Sequence, residues 1–243
     1  MADEPDNADD AAHMVYEDPQ FMSRSRAASA LRRLGNAFVR HRLSDSELSS
    51  LTNWATSVAE NLERSNPVAR PSDYFERRYS DPRPPDGIEV IAFSDRTFSG
   101  PANPMGVEVE VRREGDQVLS RVVFGPAFES APERTHGGAV SALVDDIMGY
   151  LMIVLGEAAY TASLRVDYRD GVPINHPVWF RAWVSNRDGR KLTVDLVVLP
   201  DKDGRPDESA KPIVNAEGLF IICLLYTSPS PRDATLSRMP SSA

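Results

Sequence analysis

The chain has 243 residues, with 27 Lys and Arg against 36 Asp and Glu, a formal charge of −9 and a sequence pI near 5.0. A general nucleic-acid binder meets the phosphate backbone with a net basic surface, so this balance argues against that class. A hydrophobic share of 41% is too high for a wholly disordered chain. One cysteine, Cys223, leaves no internal disulfide, and with His13, His41, His136 and His176 scattered it leaves no cysteine-rich zinc site. A reducing, cytoplasmic setting is the expectation.

Residues 1–20 hold seven acids and no Lys or Arg, which fits neither a secretory signal nor a mitochondrial presequence and reads as a disordered acidic tail. Residues 21–66 read as a helical pair. Leu31, Leu34 and Phe38 recur at helical spacing, as do Leu48, Leu51, Ala55, Val58 and Leu62, and Ser44 with Glu47 forms a capping box. Arg24, Arg26, Arg32, Arg33, Arg40 and Arg42 lie on the first helix and its end, with no acid between 21 and 43. They are either a solvated face or a surface that docks on acid, the chain's own tail or a phosphate-bearing ligand included. Residues 67–87, with Pro67, Pro71, Pro82, Pro84 and Pro85, read as a linker.

From about 88 to 222 the pattern is that of one domain. Val107–Arg113, Val118–Phe124, Tyr160–Tyr168, Val178–Ser185, Leu192–Leu199 and Ile213–Ile222 are rich in β-branched and aromatic residues and read as strands. Hairpin turns at Arg113–Asp116 and Asn186–Gly189 make the pairing antiparallel. Between the second and third strands, Gly138 to Leu155 reads as a helix that is apolar on every side and so must be enclosed. Asp145 and Asp146 interrupt it, and a membrane span of about 20 residues tolerates few or no charges, so it is a buried core helix with no membrane span expected. Two strands, a helix and four strands form the hotdog arrangement, an α+β fold in which a curved antiparallel sheet wraps a central helix. Its open edges predict pairing into a dimer, with a tetramer as the alternative. The last stretch, residues 223–243, is rich in Ser and Pro and reads as disordered; it resembles a translated sequencing-adaptor read-through, which would end the natural sequence near Cys223.

Chemistry concentrates at the start of the core helix. His136-Gly137-Gly138 stands where backbone N–H groups lack intrahelical partners and the helix dipole favours negative charge. Glycines there let a ligand approach the backbone, and a developing oxyanion would be stabilised; the plain reading is that they turn the loop into the helix. Burying Asp145 or Asp146 unpartnered costs several kcal/mol, so at least one faces a cavity, a donor or water. Neighbours on a helix point about 100° apart, so one can be the chemical group and the other structural.

The run His136-Gly137-Gly138-Ala139-Val140-Ser141-Ala142-Leu143-Val144-Asp145 resembles the HGG(x)6D signature of the PaaI-like hotdog thioesterases. Tyr160–Leu164, Tyr168–Pro173, Asp188–Lys191 and Ala216–Phe220 continue the similarity. Thr161, sixteen residues after Asp145, matches the acyl-CoA thioesterase branch that pairs an aspartate with a threonine, and the N-terminal helices are like additions in actinobacterial members. The resemblance implies hydrolysis of an acyl-CoA thioester without metal or redox cofactor. Gly137 would supply the oxyanion donor, helped by Gly138; Asp145, from across a dimer interface, would act as nucleophile or as base for water; Thr161 would position that water; His136 would orient the thioester or hold the loop.

Strand alternation places Thr161 with Ser163, Arg165 and Asp167 on a polar face, so Thr161 is expected to reach the site from the strand end or across the dimer seam. Arg190 and Lys191 are either contacts for CoA phosphates or a solvated turn, and Asn103 and Met105 either line the acyl entrance or form a plain turn. An enoyl-CoA hydratase of this fold would show Asp-x-Asn-Pro-x-His, and Pro101–Gly106 lacks the Asp and the His. A non-catalytic acyl-CoA-binding module is the alternative from another class.

Overall fold

A computed structural model describes residues 13–14, 19–67, 79 and 82–223. The expected C-terminal tail beyond Cys223, most of the acidic tail and most of the proline-rich linker lie outside the described residues. Two helices, α1 (Phe21–Arg40) and α2 (Asp45–Glu63), come first. The sheet strands β1 (Glu108–Glu114) and β2 (Gln117–Val123) follow, then helix α3 (Gly137–Leu155). The chain ends in β3 (Ala159–Tyr168), β4 (Pro177–Asp188), β5 (Lys191–Lys202) and β6 (Val214–Ile222). This is the hotdog fold that the element order predicts.

The six strands form one antiparallel sheet in the order β1-β2-β4-β5-β6-β3, and Arg205–Pro206 folds back on the end of β5. One row across it runs Ser120, Phe180, Val198, Val214 and Tyr168. Val178, Phe180 and Ala182 on β4, Leu192, Val194, Leu196 and Val198 on β5, and Val214, Ala216 and Phe220 on β6 alternate onto the buried face. Helix α3 lies against that face with ten buried residues, among them Leu143, Ile147, Met148, Leu151 and Met152. Each such side chain contributes on the order of 1.5–3 kcal/mol relative to exposure. The enclosure expected of an all-round apolar helix is therefore present. Gly218 makes the closest approach possible: a Cβ there would stand 2.7 Å from the Met148 sulfur.

Helix α1 docks on the domain through its polar side. Ala28 is buried, Arg32 donates to the carbonyls of Pro101 (3.0 Å) and Asn103 (2.6 Å), Asn36 accepts from the Ala127 amide (3.0 Å), and Arg40 pairs with Glu129 (3.2 Å). Two of the arginines of the basic helix thus face the chain's own domain. Helix α2 starts at the capping box read from the sequence, with both reciprocal bonds between Ser44 and Glu47 formed, and none of its residues is buried. The two helices exist as expected, but α2 does not pack along α1. Among the described residues strand β3 pairs with β6 alone, so no described strand lies along its other edge.

Candidate active site

His136 is the N-cap of α3, and its Nδ1 accepts a hydrogen bond from the Gly138 amide at 3.0 Å. The Ala139 and Val140 amides both donate to the His136 carbonyl, at 3.0 and 3.2 Å. Of the first-turn donors, only the Gly137 N–H has no acceptor among the described residues. The sequence pointed to Gly137 and Gly138 together; in the folded chain the Gly138 amide is already spent on His136, and His136 holds the loop.

Tyr168, at the end of β3, crosses over this turn. Its hydroxyl donates to the Gly137 carbonyl (2.7 Å), so the 2.5 Å contact with Ser141 has the serine hydroxyl as donor, since a phenol has one proton to give. A cleft of about 350 Å³ opens here, lined by Thr135, Gly137, Val140, Tyr168 and residues 169–172. The amide of Gly137 thus sits at a helix N-terminus beside a cavity, where a developing negative charge is favoured.

The two aspartates separate as their helical angles require. Asp146 is structural. Arg96 donates from Nε to its carboxylate at 2.8 Å and from Nη2 to its carbonyl at 2.9 Å, and the Ser99 amide donates to Oδ2 at 3.0 Å, with the Ser99 hydroxyl on the same carboxylate. Both charges are nearly enclosed, and the Arg96 guanidinium also lies 4.5 Å from the Tyr150 ring centre. Burial opposes the charge on Arg96, but Asp146 and Tyr150 outweigh it and hold the guanidinium protonated beyond its ordinary range. Burial, in turn, pushes the Tyr150 phenol up. Arg96 and Ser99 were not singled out in the sequence, because their partner lies about fifty residues on and nothing local marks the loop.

Asp145 points away from that cluster and is exposed, with Oδ1 accepting from Thr161 Oγ1 at 2.7 Å. Simple alternation would not allow this contact. On β3, Leu164 and Val166 lie opposite Gly218 and Ala216 and share their buried side, so Ala162 should share it too and Thr161 should not. The register instead shifts: Leu219 pairs with Ser163 and Phe220 with Thr161, leaving Ala162 as a bulge. Phe220 points at α3, and Thr161, directly opposite, does the same. The bulge reverses the phase of the strand end and re-aims one hydroxyl, a common use of bulges beside functional sites. The expectation that Thr161 lies on the outer polar face is thereby corrected.

Asn103 donates to the carbonyls of Arg96 and Thr97 (3.1 Å each) and accepts from the Met105 amide (2.9 Å), so its side chain holds the loop, while Met105 is 79% exposed. Lys191 is opposite Ile221, which is opposite Tyr160. The Arg190–Lys191 turn therefore stands at the same end of the sheet as Thr161, about 10 Å along the strand-to-strand direction. No group of His, Cys, Asp and Glu among the described residues could hold a metal ion.

Residues 134–206 match the profile of the thioesterase superfamily. The acyl-coenzyme A thioesterase THEM4 of Xenopus laevis is 34% identical over 79 residues, 32% of this chain and 36% of that protein. THEM4 of Bos taurus is 27% identical over 119 residues, 48% of this chain and 46% of its own length. The chain thus spans less than half of these relatives. A crystallised thioesterase superfamily protein is 25% identical and superposes with a TM-score of 0.65, covering 82% of this chain and 90% of its own.

Proposed function

We propose that the protein hydrolyses acyl-CoA thioesters to a free acid and CoA, at a site completed by two copies of the chain. The carrying observation is the pairing of an exposed Asp145 carboxylate with the Thr161 hydroxyl at 2.7 Å, brought about by the bulge at Ala162. The match of residues 134–206 to the thioesterase superfamily, and the relatives that carry an acyl-CoA thioesterase name, supply the substrate class.

The geometry argues for two copies. Gly137 and Asp145 are eight residues apart on one helix, which at 1.5 Å per residue is about 12 Å along the axis. A single chain cannot bring that amide and that carboxylate to one carbonyl group. A second copy laid along the open edge of β3 would bring its Asp145 toward the first copy's Gly137 and supply the edge with hydrogen-bond partners.

At such a site the Gly137 N–H meets the thioester oxygen as it becomes an oxyanion. Asp145 delivers the attack in one of two ways: it takes a proton from a water whose oxygen adds to the carbonyl and returns that proton to the departing sulfur, giving acid and CoA thiol directly; or its own oxygen adds, the CoA thiolate leaves an anhydride on Asp145, and water then hydrolyses that anhydride to the free acid, with one released proton going to the thiolate. Thr161 holds the carboxylate at 2.7 Å and, in this reading, positions the attacking water. Arg190 and Lys191 reach toward the CoA phosphates. The test is release of free thiol from short, long and aryl acyl-CoAs by the full chain. Turnover of at least one is expected; binding without turnover of any would make the protein a ligand-binding module.

A further inference from the structure

We propose that Tyr168 is the positioning residue of the Gly137 donor: its hydroxyl ties the first turn of α3 to the end of β3 and so holds the Gly137 N–H where the thioester oxygen meets it. The role rests on the acyl-CoA reading above; the tie itself does not. Strand alternation puts Leu164, Val166 and Tyr168 on the side of β3 that faces α3, opposite Gly218, Ala216 and Val214. Leu164 and Val166 pack against the core, whereas Tyr168 is 48% exposed. A phenylalanine would cover the strand end equally well, so packing does not account for the hydroxyl.

The hydroxyl has two partners, both on α3. It donates its one proton to the Gly137 carbonyl at 2.7 Å, and its oxygen accepts from the Ser141 hydroxyl at 2.5 Å. Ser141 lies four residues after Gly137, so the local acceptor of a helical serine there is the same Gly137 carbonyl. Here the serine gives its proton to the phenol instead, and the phenol takes the carbonyl. A Cβ on Gly137 would stand 3.3 Å from the phenol oxygen, so the ring passes directly over the turn.

The same peptide unit is held at its other end, where the Gly138 N–H donates to His136 Nδ1 at 3.0 Å. This matters because two successive glycines turn freely unless something holds them, and the amides of a first helical turn have no intrahelical acceptor. With the Gly137–Gly138 peptide fixed by Tyr168 on one side and His136 on the other, the Gly137 N–H keeps one direction beside the cleft that Tyr168 lines. Strand β3 thereby reaches α3 at two points: Thr161 at its start holds Asp145, and Tyr168 at its end holds Gly137. In Tyr168→Phe, Ser141 can still bond the Gly137 carbonyl within its own helix, so the variant loses the tie and keeps the helix.

Amide hydrogen exchange and kinetics on the full chain test the role. In Tyr168→Phe the Gly138, Ala139 and Val140 amides should exchange about 5-fold faster, the scale of one lost hydrogen bond, while the Leu151 and Met152 amides keep their rates. Thiol release from the best acyl-CoA should fall about 10-fold in kcat with KM changed less than about twofold, since the donor is misplaced and the substrate still binds. In a Gly137→Ala background, which keeps the N–H, the same substitution should again cost about 10-fold; in Gly137→Pro, which has no N–H to hold, it should cost less than about twofold. An equal loss in all three backgrounds would make Tyr168 a packing residue and overturn the proposal. Unchanged exchange at Gly138, Ala139 and Val140 would also overturn it. Faster exchange there, with no acyl-CoA turned over by the wild type, would remove the thioesterase reading and leave the tie between α3 and β3 standing.

Discussion

Replacing Gly137 by proline deletes one N–H and asks little else of the backbone. Gly137 is the first residue of α3, where the fixed φ of proline suits a helix start. His136 before it has φ −60° and ψ 127°, the extended form that a following proline requires. The amide removed has no acceptor among the described residues, so the fold loses no hydrogen bond. What changes besides is the ring: its Cβ would stand 3.3 Å from the Tyr168 ring, and its Cδ takes the place of the N–H hydrogen. Gly137→Ala adds the same Cβ and retains the N–H, so the ratio between the two variants reads the loss of the donor together with the ring carbons that replace its hydrogen. Loss of a single oxyanion donor costs about 10²- to 10³-fold in turnover, or about 2.7–4 kcal/mol. The assay is thiol release on the best acyl-CoA substrate, with circular dichroism to check that both variants fold. The alanine variant should retain most of the activity and the proline variant should lose about 10²-fold or more. Equal rates for the two would show that the Gly137 amide does not touch the reacting oxygen.

Asp145→Asn should lower turnover by about 10²-fold or more with little change in melting temperature, since the carboxylate is exposed. Asp146→Asn should do the reverse, because breaking a buried pair with Arg96 costs about 3–5 kcal/mol of stability; kinetics and thermal melts on both variants check this, and the opposite assignment would exchange the two aspartates. Deleting Ala162 removes the bulge but leaves Thr161 opposite Phe220, in plain alternation with Ser163 and Leu164, so Thr161 should still face α3 and turnover should fall far less than in Thr161→Val; an equal loss in the two variants would mean that the bulged backbone itself positions the hydroxyl. Glu89 is half-buried, and burial, then Glu110, raise its carboxyl above the ordinary range. A raised acid folds better protonated, so Glu89→Gln should raise the melting temperature at pH 7. That gain should vanish as the pH falls through the raised pKa and the wild-type carboxyl takes up its proton.

The sheet and its helix were legible because their periods are strong. β-Branched runs, two glycine-bearing hairpin turns and one helix apolar on all sides leave few other folds. The helix start was legible for the same reason, since His136-Gly137-Gly138 marks a turn into a helix whatever its function. The finer placement of donors was not. Whether Gly138 shares the work of Gly137 depends on where the His136 ring turns, which is a matter of rotamer. The facing of Thr161 was misread because a bulge at an ordinary alanine leaves no trace in composition, and one extra residue reverses every side chain beyond it. Arg96 was invisible because a buried ion pair across fifty residues has no local signature. The apolar stripes of α1 and α2 were read correctly as helices, and it is the contact between them that the single chain does not make.

The shared site is tested most directly by complementation. Chains carrying Gly137→Pro and chains carrying Asp145→Asn, each inactive alone, are co-expressed with different tags and the mixture is assayed for thiol release. In a mixed dimer one site pairs an intact Gly137 with an intact Asp145 and the other pairs the two lesions. Random pairing then restores about one quarter of wild-type activity, because half of the dimers are mixed and each has one working site. No recovery, with mixed dimers demonstrated by both tags, would mean that amide and carboxylate do not meet across two chains.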